Sequence, residues 1–533
     1  MRREQVFWGW GEPGAGPSLP SHAGPYLAEA LGVSGSVVSR PVALEEVRLR
    51  EPVLDGDVRR RLAEIVGEEW VRDDREARVL RCRGKSYLDL LAQRAGDCLD
   101  APDAVVAPLE HDQVAAVLRL CSDASVAVIP FGGGTSVVGG LEAERGACAS
   151  AISLDLARMD GLRGVDLRSL TAVFGPGMRL PEADRALGAH GLTLAHVPQS
   201  YEWASVGGCV ATRSAGQSST GHGRIDSHVL ALRCATPLGD LATLGAPGTA
   251  AGPSLREIVV GSEGALGVIT EVALRVRPAP VERRHEGFLF HSFAEGCDAL
   301  RGLVQNGLAP QIARLSDEDE TRMATTMAGG AGLAGALVQR VRGYEEGALL
   351  IAGWEGSEET VARERARAVP LLKRAGAMAI GRGAGDAWAA SRFAGPHVRD
   401  DLLDRGVMVE TLETATDWSN LQRLHEAVRA ALAGTLCACH VSHLYPTGAS
   451  LYFTVLAAQD ADDPAGQWRA LKAAAMDAIV AAGGTITHHH AVGRDHAPWL
   501  ESETGPLGLE VLRAVKERCD PAGVMNPGVL LPA

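Results

Sequence analysis

The sequence from Pro130 to Ser136 reads Pro-Phe-Gly-Gly-Gly-Thr-Ser and directly follows an apolar segment that begins at Val126. Such a segment is typical of a buried strand. Three consecutive glycines permit positive φ angles and expose neighbouring backbone N–H groups as an anion-binding nest. No Gly-Lys-Ser/Thr follows, and the sixth position from Gly132 is Val137. The loop is therefore neither a Walker A loop nor a dinucleotide fingerprint, but it is suited to an anionic group.

Three further segments are rich in small residues. They are Ser205 to Gly216, Gly261 to Thr270, and Asn526-Pro527-Gly528. Standing alone, the glycine run after Phe131 is also compatible with a flexible hairpin. Small residues in separated loops, however, let backbone pack closely against a large planar ligand. The pattern as a whole implies a nucleotide-like cofactor without naming it.

The composition narrows the class of protein. Glycine accounts for 63 of 533 residues, or about 12% against a usual value of roughly 7%. The formal net charge is -14, and no Lys/Arg block dominates any stretch, so we expect no nucleic-acid partner. The 10 cysteines include no CxxC pair and are typical of reduced thiols, which predicts a cytoplasmic protein.

Taken together, the loops resemble the FAD-binding fold of the vanillyl-alcohol oxidase and p-cresol methylhydroxylase superfamily, with a C-terminal half of the D-lactate dehydrogenase type. More narrowly, the chain resembles the alkylglycerone phosphate synthase (alkyl-dihydroxyacetonephosphate synthase) family and its bacterial relatives. The residues that narrow the resemblance are Trp8-Gly9-Trp10-Gly11, Gln311 to Asp317, Tyr445 with Gly448 to Phe453, and His488 to Gly493.

The resemblance implies an α+β protein, with a two-subdomain FAD-binding fold of this type and an α+β substrate (cap) domain. Pro278 and Pro280 end the strand-rich block and make a plausible boundary. We expect four parts: a mostly helical N-terminal segment (1–100), the FAD-binding domain (101–280), the substrate or cap domain (281–487), and a C-terminal segment (488–533) that returns to the flavin.

The same resemblance implies which residues hold FAD. Gly132 to Ser136 would hold the pyrophosphate, Thr212 to Gly216 would lie beside the flavin, and Glu263 to Ile269 would lie near the ribityl and adenine side. No histidine occurs between Pro130 and Gly140, so we expect non-covalent FAD. The expected FAD contacts are Pro130, Gly132, Gly133, Gly134, Thr135, Ser136, Ser205, Gly208, Thr212, Ser214, Ala215, Gly216, Glu263, Gly264, Gly267, Val268 and Ile269.

Histidines dominate two C-terminal segments. His488, His489 and His490 follow residues 485–487, which are typical of a strand. In a regular strand His488 and His490 share one face, so a three-ligand metal site would need an irregular backbone. A surface loop with chance histidines is the alternative. Residues 439–445 add two histidines and Tyr445; if both segments line one pocket, they could move protons near neutral pH.

By resemblance, Tyr445 acts as acid and base, His488, His489 and His490 steer the substrate headgroup, and Arg314 contacts the substrate near the flavin. Standing alone, Arg314 would be typical of a surface ion pair. Two departures from the family pattern concern the loop itself. His440 stands where an arginine is expected, which leaves the phosphate anchor open. Pro446 stands where an acidic residue is expected, which leaves the shape of the loop open.

A metal site is the rival interpretation of these histidines. D-2-hydroxyacid dehydrogenases of the superfamily carry a metal site here, and His440, His443 and His489 could bind Zn²⁺ by ligand type. The usual Gly-Asp-Gly-Asn spacing of that site is absent from this sequence. We therefore expect no metal.

The resemblance implies that the protein exchanges the acyl group of acyl-dihydroxyacetone phosphate for a fatty alcohol through a flavin N5 adduct. The alternative is an FAD-dependent oxidoreductase that acts on a 2-hydroxy acid or another alcohol; a flavin-binding protein without catalysis is a third hypothesis. The expected partner is a small-molecule or lipid-like substrate. A peripheral membrane contact and a homodimer stay open. Residues 331–338 and 349–354 are apolar enough to line a chain tunnel or to form ordinary core.

Overall fold

The computed structural model describes residues 3–14, 19–20, 23–327, 343–344 and 346–532. The apolar stretch 331–338 lies outside these residues. The strands of the described part are β1 Arg48–Leu49, β2 Val71–Arg72, β3 Asp97–Cys98, β4 Ala104–Val106, β5 Val126–Phe131, β6 Ser150–Asp155, β7 Leu162–Asp166, β8 Thr171–Phe174, β9 Leu192–Thr193, β10 Val229–Thr236, β11 Gly239–Ala242, β12 Val268–Arg275, β13 Arg277–Pro278, β14 Glu282–Phe290, β15 Ile312–Ser316, β16 Ala348–Gly356, β17 Met378–Gly381, β18 Val407–Asp417, β19 Leu436–Leu444 and β20 Gly448–Ala458.

The α-helices of the described part are α1 Ala23–Leu31, α2 Gly56–Val66, α3 Arg75–Leu80, α4 Tyr87–Arg94, α5 His111–Ala124, α6 Leu180–Gly188, α7 Val206–Ala211, α8 Ser219–His222, α9 Ile225–His228, α10 Leu255–Val259, α11 Phe293–Gln305, α12 Glu318–Met327, α13 Glu358–Arg374, α14 Arg382–Ser391, α15 Gly395–Asp404, α16 Leu421–Ala431, α17 Pro464–Ala481 and α18 Leu500–Cys519. Within the described ranges, no helix combines the length and apolar character needed to cross a lipid bilayer.

The glycine-rich loop 132–136 follows an edge strand of a four-stranded sheet of order β2-β4-β6-β5. Strands β4 and β5 both run parallel to β6, and the amphipathic helix α5 provides the crossover between them. Its residues Val114, Val117 and Leu118 pack into the core of this sheet. Strand β5 thus delivers the chain, at Phe131, to the glycine-rich loop.

A second sheet has the order β11-β10-β12-β8-β7 and is antiparallel throughout. Strand β12 begins at Val268, directly after the small-residue segment that starts at Gly261. The two sheets form the two subdomains of the FAD-binding part, as expected from the resemblance.

The cap contains a seven-stranded sheet of order β17-β14-β16-β15-β19-β20-β18. Its strand pairs are antiparallel. Side chains of β18 alternate between two environments: Met408 and Leu412 lie in the main hydrophobic core, whereas Val409 and Thr411 face a large cavity. This alternation follows from the two-residue period of a strand and gives the sheet one core face and one cavity face.

The C-terminal residues run back to the first sheet. After α18, Met525 forms a parallel bridge with Val128 of β5, and the Asn526 N–H donates to the Val128 carbonyl at 2.9 Å. The expected strand at 485–487 is wrong, because residues 484–490 form neither helix nor strand. The Thr485 N–H donates to the Ala415 carbonyl and the Ile486 N–H to the Glu503 carboxylate, both at 3.0 Å, and a side chain from the cap binds the amides of residues 488–490.

Candidate active site

A cavity of about 490 Å³ lies between the FAD-binding sheets and the cavity face of the cap sheet. Every residue expected to contact FAD lines it, from Pro130 in the first loop to Ile269 in β12. Of the five expected catalytic residues, Arg314, His489 and His490 line the cavity as well. The sequence therefore predicted which loops surround this space.

Close backbone approach explains the glycines of the first loop. A Cβ on Gly133 would lie 2.2 Å from the Trp203 carbonyl oxygen, and one on Gly132 would lie 2.3 Å from Ser205 Oγ. Gly134 has a φ of +70°. Only glycine fits where the 132–134 and 203–205 segments meet, and the result is a narrow cradle of backbone that suits the phosphates of a dinucleotide cofactor.

Glu263 joins this cradle to the C-terminal segment. Its carboxylate oxygens accept the N–H groups of Val492 and Gly493, both at 2.8 Å. Burial raises the pKa of the Glu263 carboxyl to about 7, although these two hydrogen bonds oppose the rise. Asn526 reinforces the junction by donating to the carbonyls of Gly140 and Glu263 at 3.2 and 2.7 Å. Glu263 lines the cavity, yet its carboxylate is committed to backbone amides.

The histidine run lies inside the molecule and not on a surface loop. Ligand nitrogens of His443, His488 and His489 lie within 4.8 Å of one another. The His488 Nε2 atom is 2.6 Å from the Tyr445 hydroxyl, and its Nδ1 atom is 2.9 Å from His489 Nδ1. Tyr445 and His488 therefore form a second layer behind His489, which lines the cavity.

Burial keeps these groups neutral at pH 7. It lowers the pKa values of His443 and His489 to about 3 and holds the pKa of His488 well below its ordinary value. Burial also raises the pKa of the Tyr445 phenol to about 12. The site thus contains neutral imidazoles, each with one N–H and one acceptor nitrogen, beside a phenol that keeps its proton.

Arg314 forms a trio with the buried residues Glu320 and His440. Its Nη2 atom donates to Glu320 Oε1 at 2.8 Å, and its Nη1 atom lies 2.9 Å from His440 Nε2. The His440 Nδ1 atom lies 3.0 Å from Glu320 Oε1. Burial alone would raise the pKa of the Glu320 carboxyl, but the nearby Arg314 and His440 hold it well below its usual range. Arg314 is therefore held at the cavity wall and is not a surface ion-pair residue.

The position of His440 in this trio bears on the metal site that the sequence left as an alternative. A register shift between Val441 and His443 interrupts the pairing of β19 with β20. His440 faces Glu320 and Arg314, whereas the imidazole that converges with His489 and His443 is His488. The set His440, His443 and His489 is therefore wrong as a ligand group.

Sequence reasoning missed Arg399 of α15. Its side chain is 8% exposed and lines the cavity. The Nη1 atom donates to the Lys85 carbonyl at 3.1 Å, whereas the Nε atom is buried without a hydrogen-bond partner. Among the described residues Arg399 makes no ion pair. Helix α15 has the pattern of an ordinary amphipathic helix, so no sequence signal marks this arginine.

Trp10 was also missed, although its motif had been noted. It lines the cavity, and its backbone N–H donates to Asp400 Oδ2 at 2.7 Å. The Gln5 Nε2 atom donates to the Gly133 carbonyl at 2.9 Å. The N-terminal segment therefore bridges the glycine-rich loop and the cap helix α15.

Comparison with known proteins places the chain in a family. Residues 102–245 match the FAD binding domain family, and residues 279–530 match the C-terminal domain of FAD linked oxidases. The alkyldihydroxyacetonephosphate synthase of Trypanosoma brucei brucei is 31% identical, over 99% of this chain and 93% of that protein.

Solved structures agree with this relationship. A structure of alkyldihydroxyacetonephosphate synthase superposes with a TM-score of 0.83 at 28% identity, covering 98% of each chain. p-Cresol methylhydroxylase, with a TM-score of 0.67 and 16% identity over 89% of this chain and 96% of that one, shares the fold. FAD is thus the cofactor, and the narrow cradle at Gly132 and Gly133 fits its phosphates. The protein belongs to the alkyldihydroxyacetonephosphate synthase family of FAD-dependent enzymes.

Proposed function

We propose that this enzyme exchanges the acyl group of acyl-dihydroxyacetone phosphate for a long-chain alcohol. The observation that carries the proposal is that one cavity is lined both by the arginines Arg314 and Arg399 and by a cluster of apolar side chains. A substrate with a phosphate at one end and a hydrocarbon chain at the other requires both. The names of the full-length relatives support the same substrate class.

The arginines of the cavity suit a phosphate. Arg399 presents a buried guanidinium that has no carboxylate partner among the described residues, and Glu320 holds Arg314 at the wall of the same cavity. A buried cation without a counter-charge is costly unless an anion is bound. We propose that Arg399 anchors the substrate phosphate. The sequence alone indicates no residue for this role, because His440 stands where an arginine is expected.

The apolar side chains of the cavity suit an aliphatic chain. They lie where α1, α12 and α15 meet the cavity face of β18 and β20. The cavity residues there are Leu27, Met323, Val398, Leu402, Val409 and Leu456, and they belong to one hydrophobic cluster. Burying methylene groups in such a wall stabilises a bound chain by about 0.8 kcal/mol per CH₂.

Tyr445, His488 and His489 supply the proton chemistry. The Tyr445 hydroxyl donates to His488 Nε2, so His488 carries its proton on Nδ1 and donates to His489 Nδ1. This chain of neutral groups can take a proton from the cavity or return one to it. FAD, when bound, supplies the reactive ring on which the exchange takes place.

The proposal is tested by anaerobic incubation of the FAD-loaded enzyme with acyl-dihydroxyacetone phosphate and hexadecanol. We expect mass spectrometry to find the alkyl ether without any added electron acceptor. No ether, together with bleaching of the flavin by a 2-hydroxy acid, would show instead that the enzyme is a dehydrogenase.

We also propose a division into parts 1–100, 101–280, 281–487 and 488–533. The cap sheet begins with β14 at Glu282, which supports the second boundary. We propose a cytoplasmic location from the ten unpaired cysteines, and a bacterial source from the resemblance to bacterial relatives. A homodimer and a peripheral membrane contact are compatible with this proposal.

A further inference from the structure

Strand β18 places a carboxylate where its pattern calls for an apolar or small polar residue. Val409, Thr411 and Glu413 share the cavity face of the strand, and Glu413 is 1% exposed. No lysine or arginine of the described residues lies within ion-pair distance of it. The nearest basic groups, His489 Nδ1 at 3.5 Å and His490 Nδ1 at 3.8 Å, belong to imidazoles that burial keeps neutral.

The Glu413 carboxylate binds backbone instead. Its Oε2 atom accepts the N–H groups of His488 and His489, the second at 3.0 Å. Its Oε1 atom accepts the His490 N–H at 2.8 Å and the Thr487 hydroxyl at 2.5 Å. One side chain therefore takes the amides of three consecutive histidines.

These amides need such a partner. Residues 488–490 lie in no helix or strand that would pair their N–H groups. A buried N–H left unpaired destabilises the fold, and the two oxygens of one carboxylate have enough lone pairs to accept all three donors. Glu413 thus stabilises the irregular backbone that lets adjacent histidines point into one site.

We infer that Glu413 is a positioning residue, which aims the imidazoles of His488, His489 and His490 by fixing the backbone between them. The inference rests on the proposed function of these histidines. With the amides held, His488 reaches Tyr445, His489 lies 5.5 Å from the His443 ring, and His490 stands edge-on to Tyr452. Glu413 itself does not line the cavity.

Glu410 provides a matched control three residues earlier on the same strand. It is 7% exposed, and its carboxylate accepts the Trp468 indole N–H at 2.7 Å and Lys472 Nζ at 3.2 Å. Glu410→Gln therefore removes a buried charge from β18 without touching the histidine backbone.

The experiment compares Glu413→Gln with Glu410→Gln in the FAD-loaded enzyme. In Glu413→Gln an amide NH₂ group replaces one of the accepting oxygens and faces N–H donors, so we expect kcat to fall on the order of 100-fold, as for a misplacement of about 1 Å. KM and FAD content should change less than about twofold. Glu410→Gln should lower the thermal midpoint but keep kcat within about threefold. Equal kcat values in the two variants would overturn the inference.

Two further readouts separate this inference from the proposed function. In Glu413→Ala the three amides are left as an anion nest. Added formate, which supplies the two missing carboxylate oxygens, should raise the kcat of this variant roughly tenfold or more, whereas chloride should not. Proton NMR should show that Glu413→Gln, unlike Glu410→Gln, shifts the imidazole N–H resonance of the Tyr445-linked pair. If the wild type forms no ether, the proposed function fails, and the NMR comparison alone decides the inference. An unchanged spectrum would overturn it.

Discussion

The hydroxyl oxygen of Tyr445 and the Nε2 atom of His488 lie 2.6 Å apart, although 43 residues separate them in the chain. The two come from different elements: Tyr445 follows β19, and His488 lies in the irregular segment after α17. Their contact joins two separate sequence motifs into one hydrogen-bonded chain, the proposed path for proton transfer, which ends at His489 on the cavity wall.

Tyr445→Phe should abolish most of this proton transfer. We expect kcat for ether formation to fall by about 10²–10⁴-fold, the usual contribution of general acid–base catalysis. FAD content should be unchanged, because Tyr445 lies behind the cavity wall. The measurement is anaerobic turnover by mass spectrometry, normalised to bound flavin.

Tyr344→Phe is the control for removing a phenol from the cap. The Tyr344 hydroxyl donates to the Gly376 carbonyl at 2.7 Å and takes no part in the cavity. Its turnover should equal that of the wild type. A Tyr445→Phe enzyme as active as Tyr344→Phe would show that the phenol is not the proton carrier.

Arg399→Met should weaken binding of the phosphate-bearing substrate. A charged hydrogen bond contributes about 1.5–3 kcal/mol, so we expect KM for acyl-dihydroxyacetone phosphate to rise roughly 10- to 100-fold. The KM for the alcohol should change little. Arg405→Met, directly after the end of the same helix, paired with Asp401 at 3.0 Å and outside the cavity, should leave both KM values unchanged. A shift confined to the alcohol would contradict the assignment of Arg399 to the phosphate.

The cofactor loops could be predicted because glycines are visible in the sequence. Gly132 and Gly133 stand where neighbouring atoms leave no room for a Cβ. Glu413 could not be predicted, because its partners are backbone amides as far as 77 residues away in the chain, and the side chains of a sequence do not show which backbone amides need an acceptor. His440 was grouped with His443 by ligand type, and the sequence does not show that Arg314 and Glu320 bind His440 instead.

Gly11→Ala should destabilise the protein more than Gly14→Ala does. Both glycines have positive φ, +79° and +72°, so both variants carry the left-handed penalty of about 1–2 kcal/mol. A Cβ on Gly11 would also lie 2.6 Å from His397 Cε1, whereas one on Gly14 meets nothing within 4 Å. We expect this overpacking to lower the free energy of unfolding by about 1–3 kcal/mol more. Chemical denaturation of the two variants measures the difference, and equal values would show that His397 yields without cost.

Acid should destabilise the folded state through His196. Burial lowers the pKa of its imidazole to about 3, while an unfolded histidine titrates near about 6.5. Between these values the unfolded state binds one more proton, so this contribution is complete above a pH of about 6.5 and is lost as the pH falls. The slope is about 1.4 kcal/mol per pH unit.

His196→Gln isolates this effect, because the amide of the substituted side chain can replace the contact of His196 Nε2 with Ser214 Oγ, 3.2 Å long. At pH 8 the gap in unfolding free energy between wild type and variant reflects packing alone. At pH 5 protonation of His196 in the unfolded state has lowered the unfolding free energy of the wild type by about 2 kcal/mol. The variant has no imidazole at this position and does not lose this amount, so the gap should shrink by it. Urea denaturation at the two pH values measures it. A gap that does not change with pH would mean that His196 takes up its proton in the folded state, and therefore that burial at this position does not keep the imidazole neutral.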